Sequence, residues 1–154
     1  MTKSSEIKNA IKTLLDELLF VKDENNNITS GCLGEVVEED FAISVFDRQF
    51  GEYPAAILSS PSIEGIAYDN SRNLRTYSFE VGVIIKAENI TGPTDVEEIM
   101  ETIIDKFDKH PTLNGTSDGG VEPSISMPAA TTSRSKTYIY FSINIKAKAI
   151  ATIN

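Results

Sequence analysis

The chain has 154 residues, of which 40% are hydrophobic and 24% charged, the size and composition of one globular domain around a single core. A chain of this length buries roughly 70% of its unfolded surface, so no disulfide framework is expected, and the lone Cys32 cannot pair within the chain. The formal net charge of −9 argues against a general nucleic-acid binder, which displaces counterions from phosphate with Lys and Arg.

Charge is unevenly spread. No Asp or Glu follows Glu122, whereas Arg134, Lys136, Lys146 and Lys148 do; those four cations give the end of the chain +4 and, the whole being −9, leave −13 before it. The amino-terminal MTKSSEIKNAIK lacks the apolar run of a signal peptide, and no stretch approaches the roughly 18 apolar residues of a membrane span. A reducing cytoplasm is the expected site of synthesis, and the sequons at Asn27, Asn89 and Asn114 then carry no weight.

In chain order, Ser4 or Ser5 is placed to cap a helix running to about Phe20. Its apolar positions Ile7, Ile11, Leu14, Leu15 and Leu18 follow helical spacing. Lys22 to Gly34 is polar and turn-rich and reads as a loop. A strand or irregular segment follows, with Val36, Val37, Phe41, Ile43, Val45 and Phe46 among Glu35, Glu38, Glu39 and Asp40. A strand is expected at Ala55 to Ser59 between Pro54 and Pro61, which suit strand ends.

From Thr76 to Lys86 the pattern alternates, with Tyr77, Phe79, Val81, Val83 and Ile85 on one face. Thr94 and Glu97 have capping-box spacing for a second helix, whose stripe is Val96, Ile99, Met100, Ile103, Ile104 and Phe107 and which Pro111 stops. Thr112 to Gly120 reads as a flexible loop, and Pro123 to Met127 as a short strand. Thr137 to Ala149 alternates again, with Ile139, Phe141, Ile143, Ile145, Ala147 and Ala149 on one face; such a strand spans roughly 40 Å and is expected to reach past its own domain. The periodicities define an α+β fold in one domain, residues 1–154.

Motifs that would anchor chemistry are missing. The sequence has no P-loop, G-x-G-x-x-G, G-x-S-x-G or H-E-x-x-H pattern. His110, beside Pro111, reads as a helix-terminal residue rather than a general base. Asp23, Asn25 and Asn27 match the first ligand positions of a calcium loop, but Ile28 stands where Gly is required and Gly34 where the bidentate Glu is required. No catalytic, cofactor or metal site is expected.

The stretch Tyr53 to about Phe107 carries a resemblance. Its YPAAIL strand, the polar elbow DNSRNLRTY at Asp69 to Tyr77, the alternating strand and the following helix resemble tail terminator (tail completion) proteins of long-tailed phages. Glu64 to Ala67 and Lys22 to Glu52 match no part of that pattern. The resemblance implies a mainly antiparallel sheet flanked by helices, to which the periodicities add the count of two helices and the long carboxy-terminal strand. It further implies a homo-hexameric ring at the head-proximal end of the tail, binding the tail tube protein and the head-tail connector, with DNA passing through the lumen without tight binding. Family members are not enzymes and take no cofactor.

A ring needs two different surfaces on each subunit. Glu35, Glu38, Glu39 and Asp40 are the expected acidic surface, and Lys146 and Lys148 the basic one, with Arg72 and Arg75 adding contacts at the elbow. The competing readings are a neck or head-completion ring protein and a small cytoplasmic α+β enzyme or ligand-binding domain, the last marked by a monomer with a deep apolar pocket.

Overall fold

In the computed structural model, which describes residues 2–39, 49–90 and 92–152, the chain opens with helix α1 (Lys3–Asp16). Its cap is Thr2 rather than Ser4 or Ser5: the Thr2 hydroxyl accepts the Ser5 N–H at 3.1 Å. The helix also stops short of Phe20. The Leu18 carbonyl turns away to accept the N–H groups of Cys32 (2.8 Å) and Leu33 (3.0 Å), and Phe20 N–H donates to Leu33 O at 2.8 Å. Gly31 permits this approach, because a Cβ there would lie 2.4 Å from the Leu19 carbonyl oxygen and its φ is +92°.

The segment expected to be a loop contains a small hairpin, β1 (Val21–Lys22) and β2 (Ile28–Ser30). The Asp23 carboxylate organises its turn, accepting the N–H groups of Asn25 and Asn27, both at 2.9 Å. Strands β3 (Glu35–Glu39) and β4 (Ala55–Ser59) follow. Phe41, Ile43, Val45 and Phe46 lie outside the described residues. Of the polar elbow expected at Asp69 to Tyr77, only Asp69 to Ser71 lies at the tip of a hairpin between β5 (Ser62–Ala67) and β6 (Arg72–Lys86); the strand expected from Thr76 already starts at Arg72.

Helix α2 (Pro93–Asp108) starts one residue before the expected cap. Gly92 is the N-cap, without a side-chain bond, and Pro93 at the first helical position has its φ already set for a helix, so Thr94 falls inside the first turn. Strands β7 (Glu122–Ile125), β8 (Ala129–Ser133) and β9 (Lys136–Thr152) complete the chain.

One seven-stranded sheet dominates. Its path is β3-β4-β6-β9-β7, with β5 also paired to β6 and β8 to β9. Only β3 and β4 are parallel; the other pairs of this sheet are antiparallel. The axis is the β6–β9 ribbon, paired without a register shift from Arg72 with Thr152 to Lys86 with Tyr138. The long last strand therefore does not run on alone, since an equally extended β6 accompanies it.

The two helices cover one face. Ile7, Ile11, Leu14 and Leu15 of α1, with Ile103 and Phe107 of α2, close over Phe79, Val81, Val83, Phe141, Ile143 and Ile145, all buried. Alternation places the other residues of β6 and β9 on an open face. A smaller cluster on that side joins Phe50, Ala55, Ile57 and Ile84.

Thr112 to Gly120 is not the loose loop its composition suggests. Leu113 is fully buried and Ser117 nearly so. Asp118 acts as a one-residue strand on the edge of β9: its N–H donates to Lys148 O at 2.8 Å, and its carboxylate accepts the Ile150 N–H at 2.8 Å. Ser117 Oγ adds a bond to Lys148 O at 3.2 Å. Backbone groups that a bare edge would leave open are satisfied by this loop.

Candidate functional site

Three surfaces stand out: the open sheet face, an arm at one end of the ribbon and a cleft at the other. On the open face, cross-strand partners form rows, because directly opposed residues share a face. One row runs Glu64, Thr76, Lys148; the next runs Ser62, Ser78, Lys146, Glu122. The basic end of the sequence is thus folded into the middle of the sheet, with carboxylates of the acidic body on the same face. Glu122 is the direct cross-strand neighbour of Lys146.

The residues expected at the interface gather only in part. In β3, alternation sends Glu35 and Glu39 to one side of the sheet and Glu38 to the other. The Glu35 carboxylate accepts the Gly51 N–H at 2.9 Å, and Asp40 lies outside the described residues. Arg72 and Arg75, three apart in one strand, face opposite ways. Arg72 shares the open face with Lys146 and Lys148; Arg75 runs beside Gly65 on the helix side, just beyond the helices.

The arm is the end of the ribbon beyond Tyr77, where β5, β6 and β9 lie side by side. Every residue of β5 is exposed, as are Arg72 and Arg75. Ile63 (54%), Ile66 (65%) and Tyr68 (56%) are exposed apolar side chains, and Ile66 shares a row with Leu74 and the partly exposed Ile150. Asp69 holds the tip: its carboxylate takes the Arg72 Nε–H at 2.7 Å and the Ser71 N–H at 2.9 Å, while the Arg72 guanidinium lies 5.0 Å from the Tyr68 ring centroid. The hydrogen bond from Arg72, with help from Ser71, lowers the Asp69 carboxyl to about 2.

The cleft, about 720 Å³, lies between α2, the end of β6 and the β1–β2 hairpin. Its floor is apolar, with Phe20, Ile85, Ile90 and Ile99, and Glu88 and Glu98 stand exposed on its rim. Lys86 lies at the same end, its Nζ 4.7 Å from the Tyr53 ring centroid. Cys32 lines the cleft too, but burial pushes its thiol up to about 11. It is therefore a neutral, weakly nucleophilic group at ordinary pH.

His110 is used structurally, donating from Nδ1 to the Lys106 carbonyl at 2.9 Å at the end of α2. Asp23 is committed to its turn, and among the described residues no group of three or more His, Cys, Asp or Glu is placed to hold a metal ion. Among the described residues no helix is long and apolar enough to cross a membrane. The arm and the cleft were missed in the sequence, although Ile63 and Ile66 beside the elbow were a signal: apolar residues in a strand whose neighbours gave it nothing to cover them. No protein-family model matches the chain, and no curated protein is significantly similar to it.

Proposed function

We propose that the chain is a structural virion protein that forms a hexameric ring at the head-proximal end of a phage tail tube, where it ends tube growth and joins the tail to the head connector. The observation that carries this reading is the β6–β9 ribbon, which outruns the helix layer and ends in an arm with exposed apolar side chains. Uncovered apolar surface of this kind marks a contact with another protein. The resemblance of Tyr53 to Phe107 to tail terminators supplies the identity of the assembly, since that stretch folds as β4, the β5–β6 hairpin and α2 in succession.

In this role the protein is not an enzyme and needs no cofactor. Its net charge of −9 suits a ring through which duplex DNA slides without being gripped. Native mass spectrometry of the purified chain tests the reading: a hexamer, seen by electron microscopy as a ring capping tail tubes, is the expected result. A monomer at all concentrations, or a ring that binds only a head connector, would replace it. Tight binding of double-stranded DNA at low salt would also count against it.

The cleft favours one second reading. Its volume falls within the roughly 300–1,000 Å³ of small-molecule sites, so a monomeric ligand-binding domain is the alternative. A monomer that takes up an apolar fluorescent probe, displaced by Ile99→Glu, would support it.

A further inference from the structure

We infer that the arm of one copy docks into the cleft of a second copy, so that subunits join head to tail. This deepens the ring reading and rests on it. Arm and cleft lie at opposite ends of one strand: β6 starts at Arg72, at the arm tip, and ends at Lys86, which lines the cleft. Its 15 residues separate the two by roughly 45 Å. Two different surfaces facing away from each other form a heterologous contact, which repeats from copy to copy and closes into a ring when the rotation allows.

The two surfaces match in chemistry. The arm offers Ile66 and Tyr68, both more than half exposed, and the cleft has an apolar floor of Phe20, Ile85, Ile90 and Ile99. Arg72 is tied to Asp69, which leaves Arg75 and Glu64 as the other charges of the β5–β6 part of the arm, while Asp95, Glu88 and Glu98 outnumber Lys86 along the cleft. Arg75 is the arm charge that this acidic lining attracts. Buried apolar area supplies the affinity and the charges orient the approach. Strand β5 has few guards of an edge, with no Lys, no Pro and no register shift over Ser62–Ala67 and Glu64 as its one charge.

The test uses two double variants of the full chain, each changed only at exposed positions. The arm variant carries Ile66→Glu and Tyr68→Ser; the cleft variant carries Ile28→Lys and Glu98→Lys. Each alone is expected to lose the assembly and run as a monomer with an unchanged circular dichroism spectrum. Mixed in equal amounts they are expected to give a heterodimer and nothing larger, because only one intact arm meets one intact cleft. Separately, copies with Tyr68→Cys mixed with copies with Glu98→Cys are expected to form an intermolecular disulfide under mild oxidation, a readout that does not depend on the charge variants folding. If either double variant assembles as the parent does, or if no mixed disulfide forms, docking of arm into cleft is wrong while the ring itself stands. A parent chain that is monomeric throughout overturns both.

Discussion

The β6–β9 ribbon has two ends built from the same pairing and treated differently by the rest of the chain. From Tyr77 to Ile85 every second side chain of β6 is buried under two helices, and its β9 partners Phe141, Ile143 and Ile145 are fully buried. From Arg72 to Thr76 the ladder continues unbroken, yet no residue of β6 in that stretch is buried, and of its β9 partners only the small Ala149 is. Backbone pairing alone therefore sets the length of a strand here, while side-chain cover decides what a residue contributes. One end is a core; the other is a surface held out from it.

Substitutions should separate the two ends by size of effect. Phe141→Ala, in the covered half, is expected to lower unfolding free energy by about 3–5 kcal/mol, measured by urea denaturation; a loss below about 1 kcal/mol would mean the helices do not seal that face. At the edge of β9, Asp118→Ala removes the acceptor of the Ile150 N–H and should cost about 1 kcal/mol. Hydrogen exchange at Ile150 would quicken with it, and unchanged protection would show that the loop does not hold the strand.

Out on the arm, Ile66→Glu should change monomer stability by less than about 0.5 kcal/mol while abolishing the assembly, and a large loss of stability would make the arm part of the core. The smallest effect is local and depends on pH. Because the Asp69 carboxyl is lowered in the folded chain, what it contributes is complete above the ordinary carboxylate value of about 4. It is lost as pH falls towards about 2. The Ser71 amide should lose protection over that window, with the Phe141 region unaffected; a tip insensitive to acid would separate the turn from its ion pair.

The regular parts of this contrast were legible in the sequence. Alternation at Tyr77 to Ile85 and Ile139 to Ala149 identified the buried face, and β4 appeared where two prolines bracket it. The misreadings of the end of the first helix and of the Thr112 to Gly120 loop share one cause, pairing between segments distant in sequence. Leu18 keeps helical spacing and is buried, but its carbonyl is taken by Cys32 and Leu33, which no local pattern announces. The glycines and polar residues of Thr112 to Gly120 suggest freedom, yet Leu113 and Asp118 tie the loop to the core and to β9. For the surfaces, the sequence grouped Arg72 with Arg75, and Glu38 with its neighbours, by proximity. Strand alternation separates side chains that adjacency joins.

The unbroken register of the ribbon bears on force. A load applied along the strands, at the arm of one subunit and at the far end of the same ribbon, shears all the pairs from Arg72–Thr152 to Lys86–Tyr138 together instead of peeling them one by one. A slip of a single residue would turn the buried set of one strand to the open face, Phe79 and Val81 of β6 or Phe141 and Ile143 of β9, so yielding by small steps is blocked as well. The ribbon is in this sense a tie rod, and a chain of such subunits would resist being pulled apart along the strand direction far better than across it.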